Sequence, residues 1–354
     1  MKTTFAQDLM GYDQRFTTLL LRFVLLPFSL LYLVLMTIRN ALYDNGLLSV
    51  TELDPPVPVV SIGNLTVGGT GKTPLVIALA RQALAEGRKV AVVTRGYGAA
   101  VDAHGTSDEV GLLRERCPGV EVVVHPNKVA GARAAAAHGA DLILVDDGFQ
   151  HRRLHRHLDV VVVDGRHPFG NGDVLPAGSL REPAAGLGRA DVIVVTHADA
   201  LDDDQREALE GRLLSHKLGV PIVYGLHVPV GVRSVKGGEI RPLDAIVGRE
   251  LYLFSGIASP DGFRHTVEAL GGDVVGAHGF PDHHAFRPAD MAAVRAEART
   301  AQLLCTEKDA AKVARIPGHD DVLCLVIDLV LQGEMPRLPR PADVARPTAD
   351  AHGH

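Results

Sequence analysis

Three glycines, a lysine and a threonine stand close together in SIGNLTVGGTGKTP: Gly68, Gly69, Gly71, Lys72 and Thr73. Such a set can hold a phosphate. The chemistry needs small residues so that backbone N–H groups converge on the anion, a lysine to answer its charge, and a hydroxyl for Mg2+. The strict pattern also asks for a glycine at position 66, where this chain has Thr66. One permissive position is therefore missing from the loop Thr66, Val67, Gly68, Gly69, Thr70 and Gly71, while Gly68 and Gly69 remain for the close approach. Pro74 suits the first turn of a following helix, where its missing N–H costs nothing.

A second constellation strengthens the first. DLILVDDGFQ, residues 141–150, is an apolar run ending in two carboxylates, the arrangement that holds Mg2+ opposite a phosphate loop. Asp146, first after the run, is the expected metal ligand, directly or through water, with Asp147 beside it. Together the two stretches predict a nucleotide site with Mg2+. A guanine reader would carry N-K-x-D or T-K-x-D after a strand. Here Thr196, His197, Ala198 and Asp199 put histidine where lysine should stack on the base, which disfavours a GTPase.

Next to the carboxylates runs HRRLHRHL, residues 151–158. His151 and His155 have helical i,i+4 spacing, and with His157 they could ligate a metal, but no carboxylate stands between them as in H-E-x-x-H. A solvated basic face is the plain alternative. Docking of an anionic glycolipid or its surrounding headgroups is favoured over the metal, with Gln150, His151, Arg152 and Arg153 as substrate-binding residues. Gln150 and His151 are also placed to orient groups near the metal.

The elements that must position these residues read as alternating strands and helices. VPVVSIG, KVAVVT, EVVVH, DLILVDD, DVVVVDG and DVIVVTHAD are short, branched and without polar alternation, so both faces are buried in a parallel sheet covered by helices. After a looser stretch near 226–250 the pattern resumes as ELYLFSGIA, DVVGAHGF, QLLCTEKD and DVLCLVIDL. The fold class expected is α/β: a P-loop NTPase-type parallel sheet flanked by helices, a second smaller α/β domain, and an N-terminal membrane-associated helix. The spans expected are 1–50 for the apolar helix, 51–228 for the P-loop domain, 229–335 for the second domain and 336–354 for a disordered tail, the last poor in apolar residues.

The N-terminal segment departs from the average composition. From Phe23 to Ile38 no charge interrupts FVLLPFSLLYLVLMTI, and extension back to Leu19 reaches about the 20 residues of a bilayer span. No amphipathic stripe divides the run, which argues for membrane contact over a helix of the soluble core. The chain as a whole is ordinary, with 46% hydrophobic and 22% charged residues and a formal net charge of -6. That charge argues against nucleic acid as a partner. Cys117, Cys305 and Cys324 are scattered, as in a reducing compartment.

GNLTVGGTGKTP, TRGYG, DDGFQHRRLHRHLDVVVVDG, PFGNGDVLPAGSLREP, FPDHHAF and TEKDA, in this order, resemble the tetraacyldisaccharide 4'-kinase family, the lipid A 4'-kinases. DDGFQHRRLHR followed by LPAGSLREP is far more specific than the phosphate loop. The resemblance implies ATP-dependent phosphorylation of the 4'-hydroxyl of a tetraacyldisaccharide 1-phosphate at the cytoplasmic face of the bacterial inner membrane. It also implies that Thr66 is normal in the loop. The family's G-D-E-P is here Ser107, Asp108, Glu109 and Val110, and the resemblance makes Asp108 the catalytic carboxylate, with His283 as its partner from the other domain. Lys72 supplies charge at the phosphates. Arg181 is a third cation candidate, since a guanidinium grips phosphate bidentately, or else an exposed partner of Glu182. The rival function is a membrane-anchored nucleotide switch that binds a protein partner.

Overall fold

The valine-rich runs of the first region pair as parallel strands, because branched side chains on both faces need cover on both faces. The computed structural model describes residues 16–96, 108–257, 259–281 and 284–344, and the chain forms two units. The first combines Gly119–Leu226 with the described residues up to Arg95 and from Val330 on. Its strands are β1 (Val59–Gly63), β2 (Val90–Thr94), β3 (Glu121–Val124), β4 (Leu142–Asp146), β5 (Leu158–Asp164), β6 (Val192–Thr196) and the start of β7 (Ile222–Ser234). They lie in the order β3-β2-β4-β1-β5-β6-β7, all parallel. Ile62 of β1 stands beside Asp146 on one side and Val160 on the other. Strand order turns at this place, and open α/β sheets gather ligands at the C-terminal ends of such strands. Gly63 and Asp146 are those ends.

The helices are α1 (Phe16–Asp44), α2 (Lys72–Ala85), α3 (Asp108–Arg116), α4 (Lys128–Ala137) and α5 (Asp203–Leu214). Asn127 caps α4 by accepting from the N–H groups of Val129 and Ala130, and Asp202 forms a capping box with Gln205 on α5. By contrast, α2 starts at Gly71 in the left-handed region (φ 79) with no side-chain cap. A helix start without a side-chain cap suits an anion, which the first N–H groups and the helix dipole attract.

The second unit has β9 (Glu250–Ser255), β10 (Asp273–Gly279), β11 (Gln302–Thr306) and β12 (Leu323–Gln332) in the parallel order β10-β9-β11-β12, after the short β8 (Gly237–Arg241), which pairs antiparallel with β7. Helices α6 (Pro260–Ala269), α7 (Pro288–Ala298) and α8 (Glu307–Val313) accompany them, and Tyr252, Phe254, Met291, Leu303 and Val322 share its core. Each unit draws on separated stretches where the linear reading had single spans. Helix α3 and the residues after it to Pro118 belong to the second unit although they lie within 51–228. The reason is the buried face of α3, with Val110, Leu113 and Cys117, and a set of ion pairs: Arg116 with Glu307 and Asp328, and Arg233 with Glu115 and Glu307.

The expectation of a disordered tail from 336 is corrected for its first part. Leu338 is only 2% exposed, Arg88 donates to the Pro339 carbonyl at 2.7 Å, and Arg337 pairs with Asp343 on the short α9 (Pro341–Val344). One buried leucine and one buried guanidinium hold this segment to the first unit. Residues 345–354 lie outside the described residues.

Helix α1 runs unbroken through Pro27 and is long and apolar enough to cross a membrane. A stripe exists that the sequence concealed, because polar residues share the inner face. Ser29, Tyr32, Arg39, Asn40 and Tyr43 recur at helical spacing on the side turned to the protein, while Phe23, Phe28, Leu31, Leu35 and Ile38 face outward. Ser29 is buried and accepts from the Ala177 N–H at 2.9 Å. The inner face is mixed, with Leu33 packed on the core beside these polar residues, so no purely apolar stripe marks it.

Candidate active site

Beyond β1 the chain closes against two other segments at once. A Cβ on Gly63 would stand 2.6 Å from the Cβ of Phe149, so only glycine lets the strand end meet the DDGFQ turn. Thr66 then forms an antiparallel bridge with Leu180, flanked by Val67 N–H to Ser179 O (2.8 Å) and Arg181 N–H to Leu65 O (2.7 Å). This explains the missing glycine. Position 66 is sheet-like backbone, which a β-branched residue favours. The turns come later, at Gly68 (φ 111) and Gly71 (φ 79).

The loop is braced from below. The buried Thr196 donates to Thr70 O at 2.8 Å, and a Cβ on Gly71 would press on its methyl group at 3.1 Å. His197 lies 3.4 Å from Asp164. In Thr196-His197-Ala198-Asp199, the threonine therefore buttresses the phosphate loop and the histidine faces a carboxylate. Neither is arranged as a base reader.

Lys72 Nζ donates to Asn64 Oδ1 at 3.0 Å and lies 3.8 Å from Asp147. Thr73 follows it in the first turn of α2. Asp146 ends β4 and accepts from Thr94 Oγ1 at 3.1 Å. Burial pushes its carboxyl up, against the pull of Lys128 and Lys72. Asp147 follows in the left-handed region (φ 52), with both its oxygens 2.7 Å from Arg181 Nη1. Burial raises Asp147 too, but Arg181 and then Lys72 outweigh it and hold the carboxyl below its usual range. Adjacent carboxylates are thus driven apart, which is how one site obtains two roles from one residue type.

Arg181 is bound to Asp147 and not to Glu182. The fully buried Glu182 instead takes both oxygens' bonds from Arg189 (2.9 and 2.8 Å), one from Gln150 (3.0 Å) and one from Asn40 (2.8 Å). Gln150 also donates to Asn64 O at 2.9 Å. The basic stretch after it divides. Arg152 is engaged by α1, with Asn40 O at 3.0 Å, Asp44 at 2.6 Å and the Tyr43 ring at 5.0 Å. Arg156 pairs with Asp159, and His157 Nδ1 accepts from Val59 N–H. Burial, with Arg95 and Lys128 next, lowers His151 to about 4, so this imidazole is neutral at physiological pH. Arg153 is exposed. Among the described residues no group of three His, Cys, Asp or Glu is arranged to hold a metal.

Two polar residues at the site escaped the sequence reading. Asn64, with no solvent exposure, joins Lys72 to the Thr66 carbonyl (2.7 Å) and has no signature of its own. Lys128 opens α4, is 2% exposed, donates to Val93 O at 3.1 Å, and is lowered by burial to about 8 within electrostatic reach of both carboxylates. A signal existed: a lysine in the first turn of a helix runs against the helix dipole.

Asp108 stands at the first turn of α3 with its side chain outside the described residues, and His283 lies outside them altogether. The two were expected from different domains. Of that pairing only the backbone start of α3 is described, and α3 belongs to the second unit and not to the expected span 51–228. TEKD is internal to that unit: Thr306 caps α8 by accepting from Asp309 N–H, and the buried Asp309 accepts from Gly256 N–H at 3.0 Å.

The profile of the tetraacyldisaccharide-1-P 4'-kinases, LpxK, matches residues 21–338. The chain belongs to this family. A tetraacyldisaccharide 4'-kinase of Anaeromyxobacter sp. (strain Fw109-5) is 44% identical over 307 residues, 81% of each chain. That of Bdellovibrio bacteriovorus is 38% identical over 319 residues, covering 86% of this chain and 93% of its own. The crystal structure of LpxK from Aquifex aeolicus in complex with ATP superposes with a TM-score of 0.71 at 31% identity, over 88% of this chain and 95% of that one. The α/β fold read from the sequence is thus the LpxK fold, and the kinase reading prevails over the nucleotide switch.

Proposed function

We propose that this member of the tetraacyldisaccharide-1-P 4'-kinase family transfers the γ-phosphate of ATP to the 4'-hydroxyl of a tetraacyldisaccharide 1-phosphate at the cytoplasmic face of a bacterial inner membrane. One juxtaposition carries the reading: an uncapped helix start with Lys72 faces a carboxylate pair, on the same unit as an outward-apolar helix. Phosphoryl transfer asks a protein chiefly for position and positive charge. Lys72 and the backbone from Thr66 to Gly71 hold the phosphates of ATP. Arg181 leaves Asp147 to grip the transferring phosphoryl group, so Asp147 keeps that guanidinium in waiting. Asp108 accepts the proton of the attacking hydroxyl while His283 orients it, and the bond from the γ-phosphorus to ADP breaks.

Thr73 and Asp146 are the residues that would hold Mg2+, and the donor set fits, being oxygen only and including a carboxylate that burial leaves short of positive charge. When bound, the ion neutralises charge shared by the β- and γ-phosphates. Arg153, exposed beside the site, is suited to the anionic headgroup, while Arg152 serves it indirectly by fixing α1. Purified enzyme given a tetraacyldisaccharide 1-phosphate should add one phosphate at the 4' position from ATP, with little transfer from GTP. A strong preference for GTP, or no phosphorylated lipid, would sink the assignment.

The outer face of α1 is the membrane-contacting surface. Leu31 and Leu35 are 59% and 56% exposed, and carrying that remaining area into lipid gains about 1–2 kcal/mol for each. Leu31→Glu together with Leu35→Glu should shift the enzyme from sedimenting vesicles to the supernatant, with melting temperature unchanged and ATP affinity within about twofold. If the double variant unfolds, that face is core.

A further inference from the structure

The inner face of α1 ends on the residues that build the phosphate site. Tyr32 OH donates to Arg181 O at 2.6 Å, Arg39 Nη2 to Gln150 O at 2.5 Å, and Asn40 Nδ2 to Glu182 Oε2 at 2.8 Å. From Asn40 the bonds continue without a break. Glu182 accepts from Gln150, Gln150 donates to Asn64 O, and Asn64 Oδ1 accepts from Lys72 Nζ. Glu182 and Asn64 have no solvent exposure, and the bonds that join them to Asn40, Gln150 and Lys72 are part-buried, so water replaces a lost partner there only incompletely.

Anchoring alone does not account for Asn40. Its second amide atom, Oδ1, is buried with no hydrogen-bond partner among the described residues, which disfavours the docked helix. What Asn40 adds is a donor to a carboxylate that already receives Arg189 and Gln150, completing the coordination of a buried charge.

We propose that Asn40 is a positioning residue for phosphoryl transfer: through Glu182, Gln150 and Asn64 it fixes Lys72 at its working place, so that the N-terminal helix is part of the phosphate site. The inference rests on the assignment of Lys72 to the phosphates of ATP. It separates positioning from membrane attachment, because the chain of bonds leaves from the inner face of the helix and the apolar contact from the outer one.

The test compares full-length Asn40→Ala with Ser29→Ala, which removes a buried docking bond of the same helix far from the chain of bonds. Alanine is the best helix former, so α1 should persist in both. With a detergent-dispersed short-acyl acceptor, Asn40→Ala should lower kcat about five- to tenfold and leave KM for ATP within about threefold, with vesicle binding unchanged. Ser29→Ala should keep kcat within about twofold even if its melting temperature falls. Asn40→Asp keeps the side-chain shape but sets a carboxylate against Glu182, should lose at least as much turnover, and carries the test if the alanine variant melts. Full kcat in both Asn40 variants, or equal losses in Ser29→Ala, would overturn the coupling. Full activity of Asn40→Ala beside a dead Lys72→Ala would sink this inference alone and leave the phosphate loop assigned.

Discussion

Lys72→Ala is expected to lose turnover by about 10^2- to 10^3-fold, the scale of removing one preorganised donor from a phosphate or oxyanion site. The lysine sits where the loop, the carboxylate pair and Asn64 converge, with its Nζ 3.0 Å from Asn64 and 3.8 Å from Asp147. In the proposed role Lys72 answers charge on the transferring group more strongly in the transition state than in the ground state, so kcat should fall more than ATP affinity. The fold should survive the change. Asp147 retains Arg181 on both oxygens, Asn64 retains the Thr66 carbonyl, and Thr196 still braces Thr70. The measurement is single-turnover phosphorylation with saturating ATP, beside a thermal melt. Near-normal turnover would mean that the loop is only a glycine-rich turn.

Asp108→Ala and His283→Ala are each expected to depress kcat strongly with less effect on KM, and the double variant should be little worse than the poorer single one. Groups that act as one unit give such non-additive losses, since removing either already disables the proton transfer. Asp108 begins α3, and α3 joins the second unit through Arg116 with Glu307 and Arg233 with Glu115, the same unit that holds Pro281 and His284. Val110, where the family has proline, lies on the buried face of α3 and is 1% exposed, so the altered flank serves packing of the helix that presents Asp108. A double-mutant cycle on kcat decides the matter. Fully multiplicative losses, or ordinary activity in Asp108→Ala, would move the base to Glu109 or Asp147.

The amino-acid sequence by itself determined the parallel sheet, because runs such as VVSIG and LILVD carry branched side chains on both faces and can be buried only between helices. It determined the glycine-rich loop and the carboxylate pair, since backbone freedom at Gly68 and Gly71 and a charge at a strand end are local properties of short segments. The apolar length of α1 was legible for the same reason. Tertiary structure alone decided what those segments meet. Thr66 is harmless because Leu180, far along the chain, makes it a strand residue. Arg181 chooses Asp147 over its neighbour Glu182, and Glu182 goes to Arg189, Gln150 and Asn40. Lys128 becomes a site residue only because α4 starts beneath the end of β2. The mixed inner face of α1, the membership of α3 in the second unit and the docking of Leu338 belong to the same class. Periodicity reports whether a residue is buried. Its partner depends on where distant segments of the folded chain cross, and no local pattern of side chains encodes that crossing.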